Sequence, residues 1–284
     1  MNKIKESLKN AVLITGAAGG IGSATAKIFS DKGYNVVATD IDTSKLDYLD
    51  ENRQVMVLRC DVTKPGAVRK LYSEIKKRDL NIGIIISCAG IYETYPVTEA
   101  DTDTYRKIME VNFLSHQYLL STFIRDLTLA EGRFVVVSSE SIKLPVLFQP
   151  YMISKIALEA FAVTARQELA LKGAKVIIVR PGAVNTGLLD WMKGVKNPVD
   201  NSLFEEEFEK SYHLSTRLSG RPVSPEKVAE TLLRAATAKK SRKEYNVNHN
   251  PLLSLISMIP YPLLEKIITR NLRKKKPATE SHRL

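Results

Sequence analysis

Over roughly the first 180 residues, short apolar runs alternate with longer stretches in which apolar residues return every three or four places. Ala11–Thr15, Asn35–Thr39, Gln54–Arg59, Ile82–Ser87, Arg133–Ser138 and Lys175–Val179 are rich in β-branched residues and bounded by glycine or polar residues. Such continuous runs suit strands buried on both faces, as in a parallel sheet covered by helices. Between them, Gly22–Asp31, Gly66–Lys77, Thr102–Leu127 and Ser154–Leu171 carry a helical pattern. The alternation predicts βαβ crossovers and an α/β fold: a doubly wound parallel sheet with helices on both faces.

After Pro181 the pattern changes. Residues 187–224 read as irregular, with Leu188, Leu189, Trp191, Met192, Phe204 and Phe208 among charges, as expected of a mobile lid. Ser224 as N-cap and Pro225 in the first turn predict a helix over Pro225–Thr237. Pro251–Ile259 and Leu263–Arg273 read as two amphipathic helices split by Pro260 and Pro262, the second with an apolar face of residues 263, 264, 267, 268 and 272. The expected organisation is one domain over 1–250, with 251–284 as a basic helical extension of it. That face suits packing on its own domain, a dimer partner, or an apolar cap near a greasy substrate or membrane interface.

Charge sharpens the picture of the C-terminus. The formal net charge is +11, but from Arg234 onward twelve Lys/Arg face three Asp/Glu, so +9 of it lies there. A basic tail without zinc-finger spacing points to a solvated end or an anionic membrane surface and away from nucleic acid. Two cysteines without CxxC spacing, Cys60 and Cys88, exclude a disulfide framework and a zinc site. The four histidines, His116, His213, His249 and His282, have no metal-ligand spacing, so no metal is expected. No apolar run reaches the length of a spanning helix, and residues 1–10 lack the core of a secretory signal; a cytoplasmic protein is expected, with membrane association as the alternative.

Candidate chemistry begins at the end of the first strand, in Thr15-Gly16-Ala17-Ala18-Gly19-Gly20-Ile21-Gly22. Glycines there let the backbone approach a pyrophosphate, and the following helix offers free N–H groups and the positive end of its dipole. Asp40 ends the second strand, where a carboxylate can accept from the adenosine ribose hydroxyls. It would repel the extra phosphate of NADP, and no Lys or Arg lies in the glycine loop, so NAD is favoured. Tyr151 and Lys155 stand four apart on one helix face, where an ammonium would lower the phenol pKa toward working pH and make a general acid/base.

TGAAGGIG, Cys88-Ala89-Gly90, Asn112, Ser138-Ser139, YMISK and PGAVNT occur in an order that resembles the short-chain dehydrogenase/reductases, over residues 11 to about 245. The resemblance implies a Rossmann-type dinucleotide-binding catalytic domain and interconversion of an alcohol and a ketone with a nicotinamide cofactor. It makes Tyr151 the proton donor/acceptor, Lys155 the group that lowers its pKa and binds the nicotinamide ribose, and Asn112 the holder of a relay water. Gly16, Ala18, Gly20, Ile21 and Gly22 would line the pyrophosphate, Asp61 and Val62 the adenine, and Ala89 and Gly90 the passing cofactor. Pro181, Gly182, Val184 and Thr186 match the loop framing the nicotinamide.

Two positions depart from the family pattern. Cys88 stands where asparagine is usual, and is read as a buried small side chain. The serine facing the substrate oxygen is Ser138 by its distance from the tyrosine and Ser139 by its place in the Ser-Ser pair; a shortened loop over 140–150 favours Ser139. The extended C-terminus resembles the hydroxysteroid and retinol dehydrogenase branch, which implies a lipophilic secondary alcohol as substrate. A reductase of acyl-chain or sugar-like carbonyls and a non-catalytic NAD sensor are the alternatives. The family also implies a homodimer or homotetramer built through the helices of Asn112 and Tyr151.

Overall fold

The computed structural model describes residues 10–49, 54–144, 147–187, 202–218 and 220–273. Leu188, Leu189, Trp191 and Met192 of the expected lid, and Lys274–Lys276 of the basic tail, lie outside the described residues. Seven parallel strands form one sheet in the order β3-β2-β1-β4-β5-β6-β7. They are β1 (Asn10–Thr15), β2 (Asn35–Asp40), β3 (Val55–Arg59), β4 (Asn81–Ser87), β5 (Arg133–Val137), β6 (Lys175–Pro181) and β7 (Glu244–Val247).

The continuous apolar runs are explained by burial from both sides. In β1, Ala11 and Leu13 belong to the core beneath α2 (Pro65–Lys76), α4 (Ser115–Leu129) and α5 (Pro150–Ala170). Val12 and Ile14 point the other way, into the core under α1 (Gly20–Asp31) and α7 (Pro225–Thr237). The larger of these, Val12, Leu13 and Ile14, contribute about 1.5–3 kcal/mol each. Strand order reverses between β1 and β4, which opens a crevice at their carboxyl ends, the usual ligand position in such sheets.

The helix expected over Thr102–Leu127 is divided. It comprises α3 (Thr102–Met109), one π-turn over Glu110–Leu114, and α4. The Ser115 N–H reaches back five residues to the Glu110 carbonyl, while the Ser115 hydroxyl takes the Val111 carbonyl at 2.7 Å. This inserted residue turns Asn112 fully inward.

Part of the stretch read as an irregular lid is helix α6 (Glu205–Leu218). Glu205, Glu206 and Glu207 occupy its first turn, where the helix dipole favours acids, and Phe204 and Phe208 pack on Phe148. Strand β7 was not anticipated: it is a short edge strand that alternates buried Tyr245 and Val247 with exposed residues. The C-terminal helices are α8 (Pro251–Ile256) and α9 (Tyr261–Leu272); Pro262 sits inside the first turn of α9 rather than breaking it.

Candidate active site

Every strand but the last leads into a residue singled out above, so the sheet gathers them at one edge. Gly16 follows β1 with φ of +65°, and a Cβ there would lie 2.8 Å from the Ala89 nitrogen. Only glycine satisfies both the left-handed backbone and that approach to the β4 loop. Gly20, Ile21 and Gly22 open α1, whose N-terminus carries no side-chain cap, so its N–H groups remain available to an anion. A Cβ on Gly20 would come 2.8 Å from the Thr186 side chain, which places the loop after β6 against the glycine loop. These features fit a pyrophosphate cradle.

Asp40 ends β2, and its Oδ2 accepts the Ala18 N–H at 2.9 Å, tying it to the same loop. Asp61 follows β3 with its Oδ1 accepting from the Thr63 N–H and hydroxyl, and Val62 is buried in the core. Sequence reading missed Arg59. Its Nε donates to the Ile41 carbonyl at 2.9 Å, which brings a guanidinium beside the residues following Asp40.

A cleft of about 240 Å³ collects Ile21, Gly90, Ser139, Tyr151, Lys155, Pro181, Gly182, Val184 and Thr186. Gly16, Ala18, Gly20, Gly22, Asp40, Asp61, Val62, Ala89 and Asn112 lie outside it. Helix α5 begins at Pro150, so Tyr151 and Lys155 sit in its first two turns and face the end of β5. The Lys155 Nζ donates to the Val137 carbonyl at 2.9 Å and lies 5.7 Å from the Tyr151 ring centroid.

The two serines part company. The Ser138 hydroxyl is buried and donates to Glu159 at 2.6 Å; Glu159 in turn receives Nε and Nη2 of Arg180 at 2.7 and 2.6 Å. Both serines line the cleft, but it is Ser139 whose hydroxyl hydrogen-bonds the Tyr151 phenol. Asn112 Oδ1 accepts the Ile91 N–H at 2.8 Å, and its Nδ2 donates to the Ile91 carbonyl at 2.9 Å and to the Ser154 hydroxyl at 3.0 Å. Ser154 closes this network on the Tyr151 carbonyl at 2.6 Å. Its place three residues after the tyrosine is the one sequence signal that could have found it.

Burial acts on Tyr151 and Lys155 against the lowering of the phenol expected from their spacing. Burial pushes the Tyr151 phenol up to about 12; the Ser139 hydrogen bond works against this, and the neighbouring Tyr92 adds to it. Lys155, whose ammonium donates to the Val137 carbonyl, is not among the groups that shift the phenol. Desolvation brings Lys155 itself down to about 8. Tyr151 is therefore a protonated donor at neutral pH. Burial likewise lifts the Cys88 thiol to about 12, so it stays a thiol. No group of three or more metal-ligating side chains occurs among the described residues.

The substrate end is apolar and includes residues the sequence did not mark. Leu144, Met152, Leu218 and Leu253 line it, the last two from α6 and α8. Glu140, next to Ser139 and buried, accepts from His249 at 2.6 Å and from the Asn250 N–H at 3.0 and 3.1 Å. That contact fastens the entry of α8 to the cleft.

The short chain dehydrogenase family model matches residues 10–193. Estradiol 17-beta-dehydrogenase 2 of Rattus norvegicus is 32% identical over 221 residues, covering 72% of this chain and 56% of that protein. The chain thus spans little more than half the length of that relative. The NADPH-dependent 3-dehydrocapnine reductase of Ornithobacterium rhinotracheale is 26% identical over 274 residues, covering 92% of this chain and 97% of that one. A short-chain dehydrogenase from Streptomyces avermitilis superposes with a TM-score of 0.76 at 23% identity, over 93% of this chain and 98% of that one. This last likeness concerns the fold alone.

Proposed function

The chain belongs to the short-chain dehydrogenase family, and we propose that it interconverts a secondary alcohol and a ketone on a lipophilic substrate, using NAD. The observation that carries this reading is the convergence of Ser139, Tyr151 and Lys155 on one cleft walled by Pro181, Gly182, Val184 and Thr186. When bound, a nicotinamide cofactor supplies the hydride chemistry. Gly16, Ala18, Gly20, Ile21 and Gly22 would hold its pyrophosphate, Asp40 its adenosine ribose, and Asp61, Val62, Ala89 and Gly90 would border it.

Tyr151 holds the proton. In the reducing direction its O–H bond breaks and the proton passes to the carbonyl oxygen; in the oxidising direction the phenolate takes the hydroxyl proton back. Ser139 donates to the same oxygen as its charge changes. Lys155 places a cation behind the phenol. Asn112 braces Ile91 and Ser154, and with its side chain so engaged, a water-holding role falls to its main chain.

The apolar end formed by Leu144, Leu218 and Leu253 supports a hydroxysteroid-like substrate, as does the likeness to an estradiol dehydrogenase. A second reading, reduction of an acyl-chain ketone with NADPH, is favoured by the end-to-end match to a 3-dehydrocapnine reductase and by Arg59 beside Ile41. Exposed Ile124, Leu129, Ile156 and Val163 on α4 and α5 support a homo-oligomer assembled through those helices.

The test is turnover of purified protein with NAD or NADP against hydroxysteroids, retinol and secondary alcohols, and with NADH or NADPH against long-chain ketones. NAD turnover on steroids is expected; NADPH turnover on ketones alone moves the second reading to the front. Tyr151→Phe should abolish turnover and keep cofactor binding. Binding without turnover of any alcohol or ketone would leave a nucleotide-sensing protein.

A further inference from the structure

The two C-terminal helices are apolar on both sides. Inward, Leu253, Leu264 and Leu272 are buried, and the first two pack with Leu144 and Leu218 at the end of the cleft. Outward, Leu252, Leu255, Met258, Tyr261, Leu263 and Ile267 are exposed, from 41% at Ile267 to 78% at Met258. Six large apolar side chains within sixteen residues, each at least 41% exposed, are a concentration of surface apolars on these two helices.

The charges beside this patch select its partner. Lys266, Arg270 and Arg273 are exposed on or at the end of α9, and the sequence continues Lys274-Lys275-Lys276. Glu265 is the only acid between Pro251 and Arg273. On the α9 wheel Leu263 and Ile267 share a stripe, and Arg270 follows on its outer border, away from the buried Leu264 and Leu272 and the partly buried Ile268. A second copy of the chain would present the same cations to one another. An apolar stripe bordered by cations instead matches the boundary of acyl chains and anionic headgroups.

We propose that the outer face of α8 and α9 docks this protein on an anionic lipid surface. No described helix is long and apolar enough to cross a membrane, so the contact is peripheral. Leu253 lines the cleft from the inner side of the docking helix itself. Docking therefore sets the substrate end of the cleft against the bilayer, where a lipophilic ketone or alcohol partitions; this last step rests on the proposed function.

The test is co-sedimentation of full-length protein with vesicles of phosphatidylcholine alone and of phosphatidylcholine mixed with phosphatidylserine. Binding is expected with phosphatidylserine and should weaken with added salt. Replacing Lys266, Arg270 and Arg273 by glutamine should lower the partition coefficient roughly 100-fold. L255S/M258S, at two exposed positions outside the catalytic cleft, should abolish binding while leaving thermal stability and turnover of a water-soluble substrate unchanged. Its KM for a vesicle-borne substrate should rise with kcat preserved. No pelleting with either vesicle overturns the proposal. So does equal binding to both, or a dimer that L255S/M258S dissolves without any vesicle binding. Vesicle binding needs no turnover, so its failure is distinguishable from failure of the oxidoreductase reading.

Discussion

Ser138 and Ser139 are neighbours in sequence with different partners, and alanine at each should separate the roles proposed for them. In Ser138→Ala, Glu159 loses a buried donor at 2.6 Å but keeps two nitrogens of Arg180. A hydrogen bond to a charged group contributes about 1.5–3 kcal/mol, so the loss should be about 2 kcal/mol. In a chain of this size that is a fall of about 4–8 °C in Tm. Turnover should stay within about tenfold, because the hydroxyl points away from the phenol. Ser139→Ala loses the contact to the Tyr151 phenol and the one to the Ser141 N–H at 3.1 Å, the latter starting a single 3₁₀ turn over Glu140–Lys143. Loss of that cap costs about 0.5–1 kcal/mol.

The chemical loss is larger. Removing one positioned donor from an oxygen that gains charge lowers kcat by about 10²–10³. The assay is paired: nicotinamide absorbance for initial rates and thermal denaturation on the same preparations. The expected pattern is a stable, slow Ser139 variant and a less stable, active Ser138 variant. A Ser138→Ala protein with unchanged Tm and a hundredfold loss of kcat would refute the assignment and make Ser138 the oxygen's partner.

Three further outcomes follow from the geometry. Lys155 has a folded pKa near 8 against an ordinary value of 10.5, so the unfolded chain binds the extra proton between those values and stability rises with pH across that window. Lys155→Met should therefore stabilise the fold at pH 7 by about 1–3 kcal/mol, with the gain shrinking above pH 8 and turnover lost; denaturant unfolding at several pH values checks this. Glu140→Ala removes the acceptor for His249 and the Asn250 N–H; it should cost about 2–3 kcal/mol and raise KM for bulky substrates more than it lowers kcat. Asp40→Ala frees the Ala18 N–H and removes the negative charge near Arg59; the ratio of kcat/KM with NAD to that with NADP should fall at least tenfold, and an unchanged ratio would detach cofactor choice from Asp40.

The parts legible in the sequence are those fixed by local or repeated demands. Buried parallel strands leave continuous apolar runs, and β1 through β6 match them within one or two residues. The glycine loop was visible because Gly16 is required by its own φ and by the crowding of Ala89. What was hidden depends on contacts remote along the chain. Glu140 gains its meaning from His249, 109 residues away, and Glu159 from Arg180, 21 residues away on the next strand. The π-turn over Glu110–Leu114 leaves the apolar spacing readable as one long helix, so periodicity does not register it. The acids of α6 look like a solvated loop unless the helix they begin is known.

The direction in which the Tyr151 phenol shifts was hidden for a related reason. Four-residue spacing puts Tyr151 and Lys155 on one face, but it does not say what else that face meets. Here it meets the open carbonyl of Val137 at the end of β5, and the ammonium takes that oxygen. Two buried ionisable groups then sit side by side, each pushed by desolvation toward its neutral form: the phenol up, the ammonium down. A phenol held protonated carries the proton that a carbonyl oxygen would take, while a lysine with a pKa of about 8 still keeps most of its charge at pH 7. The two also make the site a place where the fold gives up stability, which is why removing the lysine should strengthen the protein and silence it.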